Sequence, residues 1–147
     1  LKAEDWTNSA RSVVEALYNR DSASHALGIS VDEVLPGRVV ASMQVRTDMS
    51  NGHGICHGGF VFALADTAFA LACNSFGESM VVAGASIEYL VPTEIGDRLV
   101  ATATETSRVG RQGIYDVVVT NQAGRVIALF RGRCARLSSH RTQASGE

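Results

Sequence analysis

Apolar positions along this chain change period three times, and each change marks a new element. Ala3–Asn19 places Trp6, Ala10, Val13, Val14, Leu17 and Tyr18 on one helical stripe, with Asp5, Arg11 and Glu15 elsewhere. This predicts an amphipathic helix lying on the domain. Leu27–Val34 and Arg38–Thr47 read as two strands turning at Pro36-Gly37, with Val39, Ala41, Met43 and Val45 alternating. Asn51–Gly77, NGHGICHGGFVFALADTAFALACNSFG, reads as a Gly/His-rich turn feeding a long apolar helix that a glycine stops near Gly77. The period then returns to two: Val81, Ala83, Ala85, Ile87, Tyr89 and Val91 fall on one strand face, and Pro92 closes the strand. Leu99–Ser107, Ile114–Asn121 and Val126–Leu137 are three further strands. Their links, Arg108–Gly113 and Gln122–Arg125, are short enough to require antiparallel neighbours. Gly132 reads as a bulge in the last strand, and Ser138–Glu147 as a polar tail that frays. The sum is one long helix between two strands and a four-stranded meander: an α+β domain with an antiparallel sheet, without repeat or linker.

The chain has 147 residues, 46% of them hydrophobic, and two prolines, which suits one compact domain with a real core. A net charge of −2 and the absence of any basic run give no footing for nucleic acid. Cys56, Cys73 and Cys134 are odd in number and stand in apolar or ligand-like contexts, as reduced thiols do. The first residues, with Trp6, Arg11 and Glu15, do not resemble a signal peptide. The apolar run Phe60–Cys73, with Asp66 in its middle, is too short for a bilayer. A cytoplasmic protein with no membrane partner is expected.

The chemistry concentrates in the central stretch. From Met49 to Gly77 the only formally charged residue is Asp66, with Phe62, Ala63, Phe69 and Ala70 as its helical neighbours. A carboxylate in such surroundings is costly unless paired, hydrogen-bonded or hydrated; its plainer role is structural. Gly58-Gly59 lie where the turn becomes helix, and there the first amides lack internal partners and the dipole favours negative charge. Asn51, His53 and His57 add polar groups to the same turn. Asp66 lies eight residues beyond Gly58, roughly 12 Å along a helix axis. A base and an oxyanion donor must both reach one reacting centre at about 3 Å. One helix does not easily supply both. Two antiparallel copies do, setting one chain's Asp66 beside the other's Gly58, so the sequence points to a symmetric dimer with two shared sites.

HGG followed by an apolar helix carrying LADTAFALACNS resembles the hotdog-fold acyl-CoA thioesterases of the 4-hydroxybenzoyl-CoA thioesterase superfamily, most of all the phenylacetate-degradation group. The likeness is dense from Asn51 to Gly77, and the strand pattern agrees to about Leu137. It implies a hotdog fold, a sheet wrapped around the central helix, and hydrolysis of aryl-acetyl-CoA (phenylacetyl- or hydroxyphenylacetyl-CoA) or similar small acyl-CoA thioesters. It further implies a homodimer that pairs into a tetramer. No cofactor is implied, because CoA is part of the substrate. By matching position, Asp66 is base or nucleophile, the Gly58 amide holds the thioester carbonyl, and Asn51 positions that carbonyl or the attacking water. His57 is an orienting group or simply a turn-stabilising imidazole; Ser86 helps hold the water or is an ordinary strand serine. Arg108 and Arg111 are the foremost candidates for the CoA phosphates, ahead of Arg131, Arg133 and Arg136, although a solvated basic loop explains them equally. Phe60, Phe62, Phe69, Tyr89 and Met80 are acyl-pocket candidates that also fit plain core.

Other chemistries are carried less well. His53-x3-His57 with Cys56 has some ligand character but lacks the three-ligand pattern of a catalytic zinc site. The glycines from Gly52 to Gly58 are spaced one residue too long for a dinucleotide fingerprint. A Cys56 nucleophile would need a low-pKa setting. A hotdog hydroxyacyl-thioester dehydratase pairing Asp66 with His57 stays open, as does a non-catalytic acyl-CoA sensor with no need of Asp66.

Overall fold

The structure is a computed structural model and describes residues 2–138. The tail expected to fray lies, from residue 139 on, outside the described residues. Helix α1 (Ala3–Asn19) has the predicted bounds. Its stripe is narrower than expected: Ala10 and Val14 are buried, whereas Trp6 is 53% exposed. A short helix α2 (Ser22–Ala26) follows, where the sequence pattern gives no helix. Asp21 caps it, accepting from the Ser24 amide at 3.0 Å and the Ser24 hydroxyl at 2.6 Å. Strand β1 therefore begins at Ser30 rather than Leu27 and ends at Leu35. Strand β2 (Arg38–Gln44) stops short of Thr47, which opens a turn of 3-10 helix.

The central helix α3 (Gly58–Asn74) buries Val61, Leu64, Ala65, Ala68, Phe69, Leu71, Ala72 and Cys73. Complete burial of Leu64 and Phe69 stabilises the fold by about 1.5–3 kcal/mol each. Its end is tied down by side chains. Asn74 donates to the carbonyls of Ala70 and Met80 and accepts the Met80 amide, while Ser75 accepts the Gly37 amide at 2.8 Å. Strands β3 (Met80–Tyr89), β4 (Arg98–Val109), β5 (Gln112–Thr120) and β6 (Val126–Arg136) complete one six-stranded antiparallel sheet, in the order β1-β2-β4-β5-β6-β3. Helix α3 touches all six strands, so the sheet wraps it.

Three expectations are corrected. The meander has three strands, β4-β5-β6; β3 joins at the far edge beside β6, and β2 pairs with β4. The alternation of β3 is broken by a register shift between Val82 and Gly84. Its helix-facing set, read from the residues opposite on β6, is therefore Val82, Ala85, Ile87 and Tyr89, not the unbroken series from Val81. Gly132 is not a bulge: it pairs in unbroken register with Ala85 and Tyr115. It is glycine because the Phe69 ring lies on it, and a Cβ there would stand 2.6 Å from that ring. Among the described residues no helix is long and apolar enough to cross a membrane.

Candidate active site

The loop before α3 is stitched from two sides. The His57 amide donates to Met49 O and the Cys56 amide to Thr93 O, each at 2.7 Å. These bonds fix the chain direction at the first turn of α3. His57 is the N-cap, and its Nδ1 accepts from the Gly59 amide at 3.2 Å. Accepting there leaves the ring proton on Nε2. The Phe60 amide is taken by His57 O at 3.0 Å. Of the first three helix amides, only that of Gly58 has no partner among the described residues. The helix dipole and an unused donor thus coincide at Gly58, as oxyanion binding requires.

Asn51 stands beside it. Its Oδ1 receives the amides of His53 (2.9 Å) and Ile55 (3.4 Å), so the carboxamide nitrogen is the end left to donate outward. Asn51 and Gly58 line one cavity of about 300 Å³ with Val61, Tyr89, Leu90 and Thr93. A cavity of about 450 Å³ between α1 and β1, walled by Arg11, Tyr18 and Glu33, holds none of the predicted site residues.

Asp66 is not in that group. It lies half-buried on α3, with Phe62, Ala63 and Ala70 beside it, all likewise only partly covered. Burial alone raises its pKa; no hydrogen bond or cation among the described residues offsets the cost. The chain therefore brings Asn51, His57 and Gly58 together and sets Asp66 apart, two turns along the same helix.

Ser86 is not brought to either. It lies opposite Arg131 on β6, whereas Ile87 and Tyr89, its neighbours in β3, are on the helix side. Arg108 and Arg111 are at the other end of the sheet, where α3 terminates. The Arg108 guanidinium stacks 3.9 Å above the Phe76 ring and 3.9 Å from Glu105, and Arg111 donates to Ser138. Arg131 pairs with Asp116, Arg136 with Glu78, and Arg133 donates to Ala83 O. Phe69 is core, packed on Tyr115 and Phe130; Phe62 stacks edge-on to Phe130. The Cys56 thiol is buried, and burial, then the nearby Asp97 charge, pushes its pKa up, the opposite of a poised nucleophile. Among the described residues no cluster of three His, Cys, Asp or Glu is placed to hold a metal.

Sequence reading misses one participant. Tyr89, expected as an acyl-pocket wall or plain core, donates its phenol to the Gly58 carbonyl at 2.7 Å across 31 residues of chain. No local pattern signals such a contact.

Comparison with known proteins gives a consistent set of likenesses. The sequence profile of the thioesterase superfamily matches residues 53–128. The chain is 42% identical over 132 residues to the acyl-coenzyme A thioesterase PaaI of Escherichia coli, covering 90% of this chain and 91% of that one. The structure of the E. coli PaaI protein from the phenylacetic acid degradation operon superposes with a TM-score of 0.89, covering 90% of this chain and 96% of its own. At 31% identity over 129 residues, acyl-coenzyme A thioesterase 13 of Homo sapiens is also similar, with 85% and 92% covered.

Proposed function

The chain belongs to the thioesterase superfamily and is an acyl-CoA thioesterase, and from that premise we propose that each of its reaction centres is built by two copies of it. One protomer lends the amide of Gly58 and the carboxamide of Asn51; its partner lends Asp66. The substrates are aryl-acetyl-CoA or similar small acyl-CoA thioesters. The observation that carries this reading is the pair of unused groups on α3: an amide at its start and a carboxylate two turns on, neither with a partner among the described residues. Neither group completes a site alone, and an antiparallel second helix satisfies both.

Strand β3 supports the pairing. It is a ten-residue edge strand, and Val81, Val82, Tyr89 and Leu90 on it or just beyond it are 42–54% exposed. A long apolar edge is a template for another chain. Antiparallel pairing also carries Arg108 and Arg111, at the end of α3, toward the partner's Gly58, which is where the phosphates of a CoA bound there need cations.

In the reaction the thioester carbonyl oxygen sits on the Gly58 amide, and charge that builds on it is met by that N–H and the helix dipole. Asp66 either takes a proton from water as it attacks the carbonyl carbon or attacks itself, forming an anhydride that water opens. In both routes the C–S bond breaks, CoA leaves as the thiol, and water supplies the acid's second oxygen. Asn51 donates from its nitrogen to the carbonyl or the water. His57 holds the Gly59 amide and so leaves Gly58 as the donor.

The test is thiol release from phenylacetyl-CoA. Asp66→Asn is expected to lose at least about a hundredfold in kcat while its dimer persists. Wild-type turnover in Asp66→Asn would remove the carboxylate from the mechanism, and bound, unhydrolysed substrate with the wild type would favour a sensor.

A further inference from the structure

We infer that Tyr89 is a positioning residue for hydrolysis: its phenol and ring hold the first turn of α3 so that the Gly58 amide points at the thioester carbonyl. The inference rests on the reading of Gly58 as the carbonyl's donor.

An oxyanion donor works only if it is already oriented when charge develops. Gly58-Gly59 is a poor choice for that by itself, because glycine has the greatest backbone freedom of any residue. Something outside the glycines must restrain them. His57 restrains the second through the Gly59 amide. The first is restrained by Tyr89, whose hydroxyl donates to the Gly58 carbonyl at 2.7 Å. The same ring lies so near that a Cβ on residue 58 would be 3.0 Å from its Cζ and 3.1 Å from its oxygen. Glycine at 58 and tyrosine at 89 therefore fit as one unit.

The hydroxyl leaves the donor itself untouched. It binds the carbonyl side of residue 58, so the amide stays open toward the cavity that Tyr89, Gly58 and Asn51 line together. Tyr89 closes β3, and the next segment supplies Thr93, whose carbonyl holds the Cys56 amide. The strand end thus grips the loop on both sides of His57. Burial, followed by the nearby Cys56, raises the phenol's pKa, so it stays protonated and able to donate at neutral pH.

The test compares the wild type with Tyr89→Phe, which keeps the ring and removes the donor. The expected result is a fall of about tenfold in kcat with phenylacetyl-CoA at unchanged KM. A lower NMR order parameter for the Gly58 N–H is expected alongside it. Wild-type kcat, a change in KM alone, or a slower enzyme with an unaltered Gly58 order parameter would each overturn the inference. Should Tyr89→Phe fail to fold, 3-fluorotyrosine at 89, a stronger donor, is expected to raise the Gly58 N–H order parameter, and no rise overturns the inference. Asp66→Asn keeps the two readings apart. If it is inactive while Tyr89→Phe is normal, only the role of Tyr89 falls; if it is active, the shared-site reading falls first.

Discussion

The ring of Phe69 rests on the backbone of Gly132, and a Cβ at 132 would lie 2.6–2.7 Å from three of its carbons. This contact joins α3 to β6 at the level where Phe69 also meets Phe130 and Tyr115. Gly132→Ala overpacks that layer, because the ring is fully buried and has nowhere to move. A loss of about 1–3 kcal/mol is expected in urea unfolding, partly recovered when Phe69→Leu is added.

Asp66 makes a second prediction through its raised pKa. In the folded chain this carboxyl holds its proton to higher pH than in the unfolded chain, so the folded state binds more protons between the two values. Stability then falls as pH rises from the ordinary 3.8 through the folded value, and the penalty is complete above it. Asp66→Asn is expected to melt higher than the wild type at neutral pH, the gain vanishing below the ordinary carboxylate range. Under the proposed mechanism turnover needs the ionised form, and its acid limb should be displaced upward by the same cause.

Shared sites predict subunit complementation. Asp66→Asn and Asn51→Ala homodimers are both expected to be poorly active. In a mixed dimer one centre joins an intact Asp66 to an intact Asn51 and Gly58. Random reassortment of equal amounts should restore about a quarter of wild-type turnover. Recovery absent from a sample shown by mass spectrometry to contain mixed dimers would place both groups of a centre on one chain.

Cys56, next to the capping histidine, is expected to be a bystander. Its thiol is buried and its pKa lies above the ordinary 9.0. Cys56→Ala should keep kcat within about threefold, and alkylation of Cys56 near neutral pH should be far slower than that of a free thiol.

The chain's own pattern determines a good deal here. Helical spacing of Ala10 and Val14 gives α1 its observed bounds, and a long apolar run after HGG, interrupted at Asp66, gives α3. The spacing of Gly58 and Asp66 on one helix, at about 1.5 Å per residue, already argues that one copy of the helix does not easily bring both to one reacting centre. Short links make β4, β5 and β6 antiparallel neighbours. Tertiary structure decides what local period does not carry. Alternation states which side of a strand is apolar but not which strand lies next to it, so the placement of β3 beside β6 becomes visible only when the sheet closes on α3. The α2 turn depends on one Asp21 cap, too brief to leave a periodic trace. Gly132 reads as a bulge until the ring that covers it is in place, and Tyr89 as a pocket wall until its hydroxyl meets a carbonyl 31 residues away. Both depend on groups distant in the chain, whose approach follows from packing and not from sequence neighbourhood.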